Sequence, residues 1–239
     1  MEVLLLLWVF LLGLVFGSFF NVVIYRLPRQ MSLLRPGSAC PHCGHRLTVS
    51  ELVPVLSFLW QKGRCRECRG QISWRYPLVE FVTGLGFVAI ALKQSTIPEV
   101  MAGLVFFSLL AVLALIDLEH KVLPNVLTVP GIILGLLFAL LGWTTPFGTS
   151  VIGAATGFLV IFIIALLSRG GMGMGDAKLM SMIGAFLGWK SVFFVLFGAS
   201  LLGSIVGIIY LYLTKQGRRT PLPFGPFLAT AALVIYFMA

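Results

Sequence analysis

Apolar residues in this chain gather into eight stretches, at about residues 3–24, 77–92, 99–116, 122–142, 151–167, 177–189, 191–213 and 224–238, and the polar residues collect between them. A helix needs about 20 apolar residues to cross the hydrocarbon core of a bilayer. The pattern therefore predicts an all-α polytopic membrane protein with about eight transmembrane helices. The sixth stretch, Ala177 to Trp189, is too short for a straight crossing, so it is expected to tilt, to draw on following residues, or to lie inside a protein-lined cavity. The single long polar segment runs between Tyr25 and Pro77. The organisation read from this pattern is a first transmembrane helix over 1–25, a loop module over 26–76, and a transmembrane core over 77–239. No internal repeat is apparent.

Composition agrees with this pattern. Of the 239 residues, 59% are hydrophobic and 10% charged, more apolar surface than a soluble domain hides. The first stretch is preceded only by Glu2 and followed by Arg26 and Arg29, the reverse of a cleavable signal peptide, so it reads as a retained helix with its N-terminus outside. With that start, fifteen of the seventeen Lys and Arg residues fall in inside loops and helix ends, leaving only Lys93 and Lys190 outside. The positive-inside rule fixes the orientation and puts the polar loop in the cytosol. It also accounts for the net charge of +9 without a nucleic-acid partner.

All four cysteines lie in the loop, as Cys40-Pro-His-Cys43 and Cys65-Arg-Glu-Cys68. Two Cys-x-x-Cys pairs in turn-prone surroundings are the ligand layout of a four-thiolate zinc site. Two disulfides or four unrelated thiols are the alternatives, and a reducing cytosol disfavours the first. His42 and His45 are potential substitute ligands, expected at the surface while four thiolates are available. Four protein ligands close the coordination sphere, so the Zn²⁺ is read as structural. The loop's basic side chains are placed to meet lipid headgroups or a substrate.

Two aspartates sit at the ends of apolar stretches. Asp117 closes Ala114-Leu-Ile-Asp117, shortly before Pro124-Asn125. Asp176 follows the glycines at 170, 171, 173 and 175 and precedes Ala177-Lys178. Charge at membrane depth is costly and marks function by default. Counting crossings puts both at the cytosolic boundary. Asp176 as a helix N-cap, and Asp117 as a helix-end charge paired with Lys121, are the structural alternatives. The glycines are expected to supply unusual backbone conformations or close approach. No Gly-Lys-Ser/Thr follows them, so they do not form a phosphate loop.

Two carboxylates in one site suit peptide hydrolysis by water: one takes a proton from the attacking water while the other, protonated, polarises the carbonyl. A helix N-terminus favours an anion, which assigns Asp176 as the base and Asp117, near a helix C-terminus, as the proton holder.

The stretches Gly17-Ser-Phe-Phe-Asn21 through Pro28, the two cysteine pairs, Ile72-Ser-Trp-Arg75-Tyr-Pro77 through Glu80, Asp117 with Leu123-Pro124-Asn125, Gly171 through Lys178, and Pro223-Phe-Gly225-Pro226 together resemble the bacterial type IV prepilin peptidases. These enzymes are bifunctional leader peptidases and N-methyltransferases of pilus and type II secretion systems. The resemblance implies an intramembrane aspartyl endopeptidase of the bacterial inner membrane acting on type IV prepilins or type II secretion pseudopilins. Asp117 and Asp176 would be catalytic, with Gly173, Gly175 and Lys178 in the supporting Gly-x-Gly-Asp motif. Methylation of the new N-terminus by S-adenosylmethionine is implied as well, with Cys40, Cys43, Cys65 and Cys68 retained for the loop. Glu80 is a candidate for the methyl donor's site or for substrate contact, against an ordinary solvated charge at a helix start. A membrane transporter or proton relay using both aspartates, and a non-catalytic assembly subunit, are the competing readings.

Overall fold

The computed structural model describes residues 2–168, 172–214 and 223–238. Arg169, Gly170, Gly171, Lys215, Arg218 and Arg219 lie outside the described residues. Nine α-helices are found among those described: α1 (Glu2–Arg26), α2 (Leu56–Trp60), α3 (Arg75–Lys93), α4 (Ile97–His120), α5 (Asn125–Leu140), α6 (Phe147–Leu167), α7 (Met174–Leu187), α8 (Trp189–Thr214) and α9 (Gly225–Met238). One helix coincides with each predicted apolar stretch, and α2 is an additional short helix in the loop. Five of them, α1, α3, α4, α6 and α8, are long and apolar enough to cross a bilayer by themselves. The protein is an all-helical, multi-pass membrane protein.

The chain divides into two compact units, Met1–Ser95 and Thr96–Ala239. In the first, α1 packs along α3. Gly13 and Gly17 make this approach close, because a Cβ at Gly13 would fall 2.7 Å from the Gly84 Cα and one at Gly17 would fall 2.6 Å from the Glu80 Cα. Asn21 Nδ2 donates to the Tyr76 carbonyl at 3.1 Å, tying the end of α1 to the start of α3.

In the second unit α7 is the central helix, contacted by α5, α6, α8 and α9. Ala177 and Leu179 through Phe186 are all buried. A helix apolar all round is one enclosed by protein. That resolves the short sixth stretch: protein surrounds α7, so lipid need not match its length. Two further small-xxx-small pairs let neighbours approach it. Gly153 and Gly157 on α6 meet the α7 backbone at Gly184 and Met180, while Gly131 and Gly135 on α5 leave room for Met182 and Phe186. Ser150 Oγ adds a hydrogen bond to the Ala185 carbonyl at 2.5 Å. Phe106 of α4 stacks on Phe186 with ring centroids 4.7 Å apart.

Candidate active site and cysteine module

The loop of the first unit is built on two similar turns. Gly44 N–H donates to the Cys40 carbonyl at 2.9 Å and Arg69 N–H to the Cys65 carbonyl at 3.0 Å; Cys40 N–H and Cys65 N–H close the turns onto His45 and Gly70. A lone antiparallel bridge flanks each turn, Ala39 with Arg46 and Arg64 with Gln71. The residue after each second cysteine is left-handed, Gly44 at φ 73° and Arg69 at φ 60°. This is a small local repeat that the sequence pattern had not disclosed.

The turns bring the four sulfurs within 4.8 Å of one another, with Cys40 to Cys68 and Cys43 to Cys65 each 3.9 Å apart. Four thiolates about 2.3 Å from a tetrahedral zinc lie about 3.8 Å from each other, so the cluster fits that ion. All four cysteines are free thiols. His45 does not act as a ligand in this arrangement, since its Nε2 lies 3.1 Å from Glu51 Oε2. Glu51 also accepts the Thr48 N–H at 2.9 Å and the Thr48 hydroxyl at 2.8 Å. The Thr48 N–H is the main reason its carboxyl is held down at about 2. A depressed carboxylate stabilises the fold above the ordinary carboxylate pKa, and this contribution disappears as pH falls from there toward about 2.

Glu80 is not the solvated charge expected at a helix start. It is buried on α3, its Oε2 accepts the Val55 N–H at 2.7 Å, and the Ser18 hydroxyl also reaches it. Val55 has φ 61° and ψ −50°, and the Leu56 N–H donates across it to the Pro54 carbonyl at 2.6 Å. Those values describe a γ-turn of positive φ, a strained conformation, here centred on a β-branched residue. Glu80 anchors that turn to α3. Losing an acceptor of this kind costs about 1–3 kcal/mol. Amide exchange at Val55 should therefore speed up in Glu80→Ala and stay slow in Glu80→Gln, which keeps an acceptor oxygen; equal protection in both variants would remove the anchoring role.

In the second unit Asp117 lies in the last turn of α4, buried at 6% exposure. Its Oδ2 accepts the Gly225 N–H at 2.9 Å. Asp176 is half-buried in the first turn of α7 and accepts the Gly173 N–H at 3.2 Å. Gly173 has no side chain to return the bond, so only the acidic half of a capping box is present. The two carboxylates are close enough for their charges to interact. Asp117 makes no ion pair with Lys121 among the described residues; instead the Lys121 N–H donates to the Asp117 main-chain carbonyl at 2.8 Å.

The helix ends do not separate the two acids. Asp176 sits at the N-terminus of α7, and Asp117, although near the C-terminus of α4, is also hydrogen-bonded by the first residue of α9. Each carboxylate thus faces a positive helix end, which removes the sequence-based reason for putting the proton on Asp117.

Gly173 is exposed, at φ −85° and ψ 152°, a conformation open to any residue, so the expected backbone freedom is not used there. Gly175 is needed for proximity, since a Cβ there would lie 2.9 Å from the Leu123 Cβ. Lys178 Nζ donates to Asn125 Oδ1 at 2.7 Å and ties the start of α7 to the start of α5. On sequence Gly225 belongs to a matching stretch and is a candidate for close approach or movement during substrate entry, against routine helix packing. Its contact with Asp117, 108 residues away, has no local signal.

Comparison with known proteins gives concordant matches. The bacterial peptidase A24 N-terminal domain matches residues 11–94, and the type IV leader peptidase family model matches residues 104–208. A prepilin leader peptidase/N-methyltransferase from Aeromonas salmonicida (strain A449) is 41% identical over 256 residues, covering 95% of this chain and 88% of its own length. One from Myxococcus xanthus (strain DK1622) is 44% identical over 219 residues, covering 89% of this chain and 65% of its own length. One from Bacillus subtilis (strain 168) is 35% identical over 227 residues, covering 95% and 92%. No solved structure matches.

Proposed function

The chain belongs to the type IV leader peptidase family, and from that premise we propose that it is an intramembrane aspartyl endopeptidase removing the leader from type IV prepilins or type II secretion pseudopilins. The observation that carries the proposal is the pairing of Asp117 and Asp176, brought within electrostatic reach from helices far apart in the chain. Family membership favours a processing enzyme over a transporter, a proton relay or an assembly subunit. The chain spans the bacterial inner membrane about eight times, with its N-terminus outside and the cysteine loop and both aspartates at the cytosolic face, as the distribution of Lys and Arg argues.

A prepilin would lay its apolar segment in the bilayer and present its leader junction at the depth of the two acids. One proton is shared by the pair, because like charges this close do not both ionise cheaply. Asp176, half-buried and beside the exposed Gly173, is where water arrives, so it takes the proton from the attacking water. Asp117, fixed by the Gly225 N–H, polarises the scissile carbonyl and passes its proton to the leaving amine. Gly175 and Lys178 keep the first turn of α7 in place. Purified protein in liposomes with a model prepilin tests this directly: a shortened product supports the reading, and an intact substrate sinks it.

Cys40, Cys43, Cys65 and Cys68 hold a structural Zn²⁺, which staples the two turns together and takes no part in the cleavage chemistry. Protein purified under reducing conditions should carry about one zinc per chain, and Cys68→Ser should carry close to none while α1 and α3 stay helical. Full zinc content in Cys68→Ser would remove the four-thiolate site. N-methylation of the new N-terminus completes the proposed activity. The methyl donor S-adenosylmethionine bears cationic sulfonium and ammonium groups against one carboxylate, a net positive charge. A cleft beside the second turn, lined by Arg64, Arg66 and Arg69 against the single acid Glu51, does not suit it. Glu80 is already committed to Val55 and Ser18.

A further inference from the structure

That cleft, about 310 Å³ in volume, has Trp60 and Gln61 on its wall beside the three arginines and Glu51. Glu51 uses one oxygen fully: Oε2 takes both Thr48 donors and faces His45. Its Oε1 is buried and has no partner among the described residues. An unpaired buried carboxylate oxygen calls for a donor. Three guanidiniums against one carboxylate leave a surplus of positive charge, which calls for an anion, and phosphate suits the arginine fork.

The surroundings of the cleft indicate where that anion comes from. Tyr25 at the end of α1 and Trp74 and Tyr76 at the start of α3 are 43%, 72% and 36% exposed. Aromatic residues at the ends of long apolar helices mark the membrane–water interface. Phe58 of α2 packs against Trp74 with ring centroids 4.6 Å apart, and the Glu80–Val55 hydrogen bond holds the entry to α2 against α3. These contacts keep α2 at the level of the aromatic belt. On its outer side Leu56, Leu59 and Trp60 are 49%, 56% and 73% exposed, an apolar edge adjoining a basic cleft. A free phosphate would neutralise the cleft and leave that edge in water. A phospholipid would cover both.

We propose that this part of the loop is a phospholipid-binding site. Arg64, Arg66 and Arg69 hold the lipid phosphate, Glu51 Oε1 accepts an N–H or O–H from the head group, and Leu56, Leu59 and Trp60 enter the interface beside it. The lipid class that fits carries a donor on its head group, as ethanolamine and glycerol do and choline does not. The site is independent of the aspartate pair, so its failure leaves the peptidase reading untouched.

The test is hydrogen exchange of the full chain in nanodiscs of phosphatidylethanolamine and phosphatidylglycerol, compared with nanodiscs of phosphatidylcholine, with zinc content measured in each. Amides over residues 56–69 should exchange at least fivefold more slowly in the ethanolamine and glycerol lipids. A benzoyl-phenylalanine crosslinker at position 60 should yield a lipid adduct in the same discs. The triple variant Arg64→Gln, Arg66→Gln, Arg69→Gln should lose the protection while keeping its zinc. Equal exchange of the wild type in both kinds of disc overturns the proposal, whether or not the variant folds. Protection restored in phosphatidylcholine discs by glycerol 3-phosphate alone also overturns it, because the anion would then be a soluble phosphate.

Discussion

Asp117→Asn and Asp176→Asn each reduce prepilin cleavage by at least a thousandfold: this is the expected result with the purified protein in liposomes. Asparagine keeps the size and one acceptor oxygen of aspartate. The Gly225 N–H to Asp117 and the Gly173 N–H to Asp176 can therefore both persist, and the fold should remain intact. What is lost is the ability to take or give a proton. General acid–base catalysis by one positioned group contributes roughly 10²–10⁴-fold, and a pair sharing one proton acts as a unit. The double variant should consequently be little worse than either single one. Zinc content and helical signal should match the wild type in all three. If either single variant retains a tenth or more of wild-type cleavage, the paired-carboxylate mechanism is wrong.

The residues show why parts of this site were legible and others were not. Eight apolar stretches forecast eight helices because hydropathy responds to lipid, and five of those helices are long and apolar enough to cross a bilayer. It reads α7 poorly for the same reason: Ser181, Gly184 and Ala185 face protein, so the helix is short and only mildly apolar. The cysteine pairs were legible because four ligands of one ion leave a spacing signature. The burial of Glu80 was not legible. A carboxylate at a helix start gives no sign that a strained turn 25 residues earlier has its N–H aimed at it. Of the two roles expected for the glycines before Asp176, unusual backbone or close approach, Gly173 shows no unusual backbone and Gly175 lies close to Leu123. The pairs Gly13/Gly17, Gly131/Gly135 and Gly153/Gly157 are at GxxxG spacing, a signal that would have placed the close helix crossings in advance.

Gly225→Ala should produce a stable protein with at least a hundredfold lower cleavage. A Cβ at position 225 would fall 2.7 Å from Asp117 Oδ2 and 3.2 Å from its Cγ, closer than carbon and oxygen tolerate. Asp117 is held on a buried helix face with Ile116 and Leu113 fully enclosed beside it, so the backbone of α4 has little room to withdraw. The carboxylate must rotate instead, giving up the Gly225 N–H and its alignment with Asp176. A displacement of about 1 Å at reacting groups costs on the order of 10²-fold in rate. Alanine also favours helix over glycine by about 1 kcal/mol, which offsets part of the lost hydrogen bond and keeps the melting temperature close to wild type. Gly203→Ala on α8 is the matched control, since its Cβ would meet Phe227 at an ordinary 3.4 Å, and it should cleave normally. Activity of Gly225→Ala equal to that control would show that the bond from the start of α9 does not set the position of Asp117. Unfolding of Gly225→Ala alone would show that the contact serves packing and not the placement of a catalytic acid.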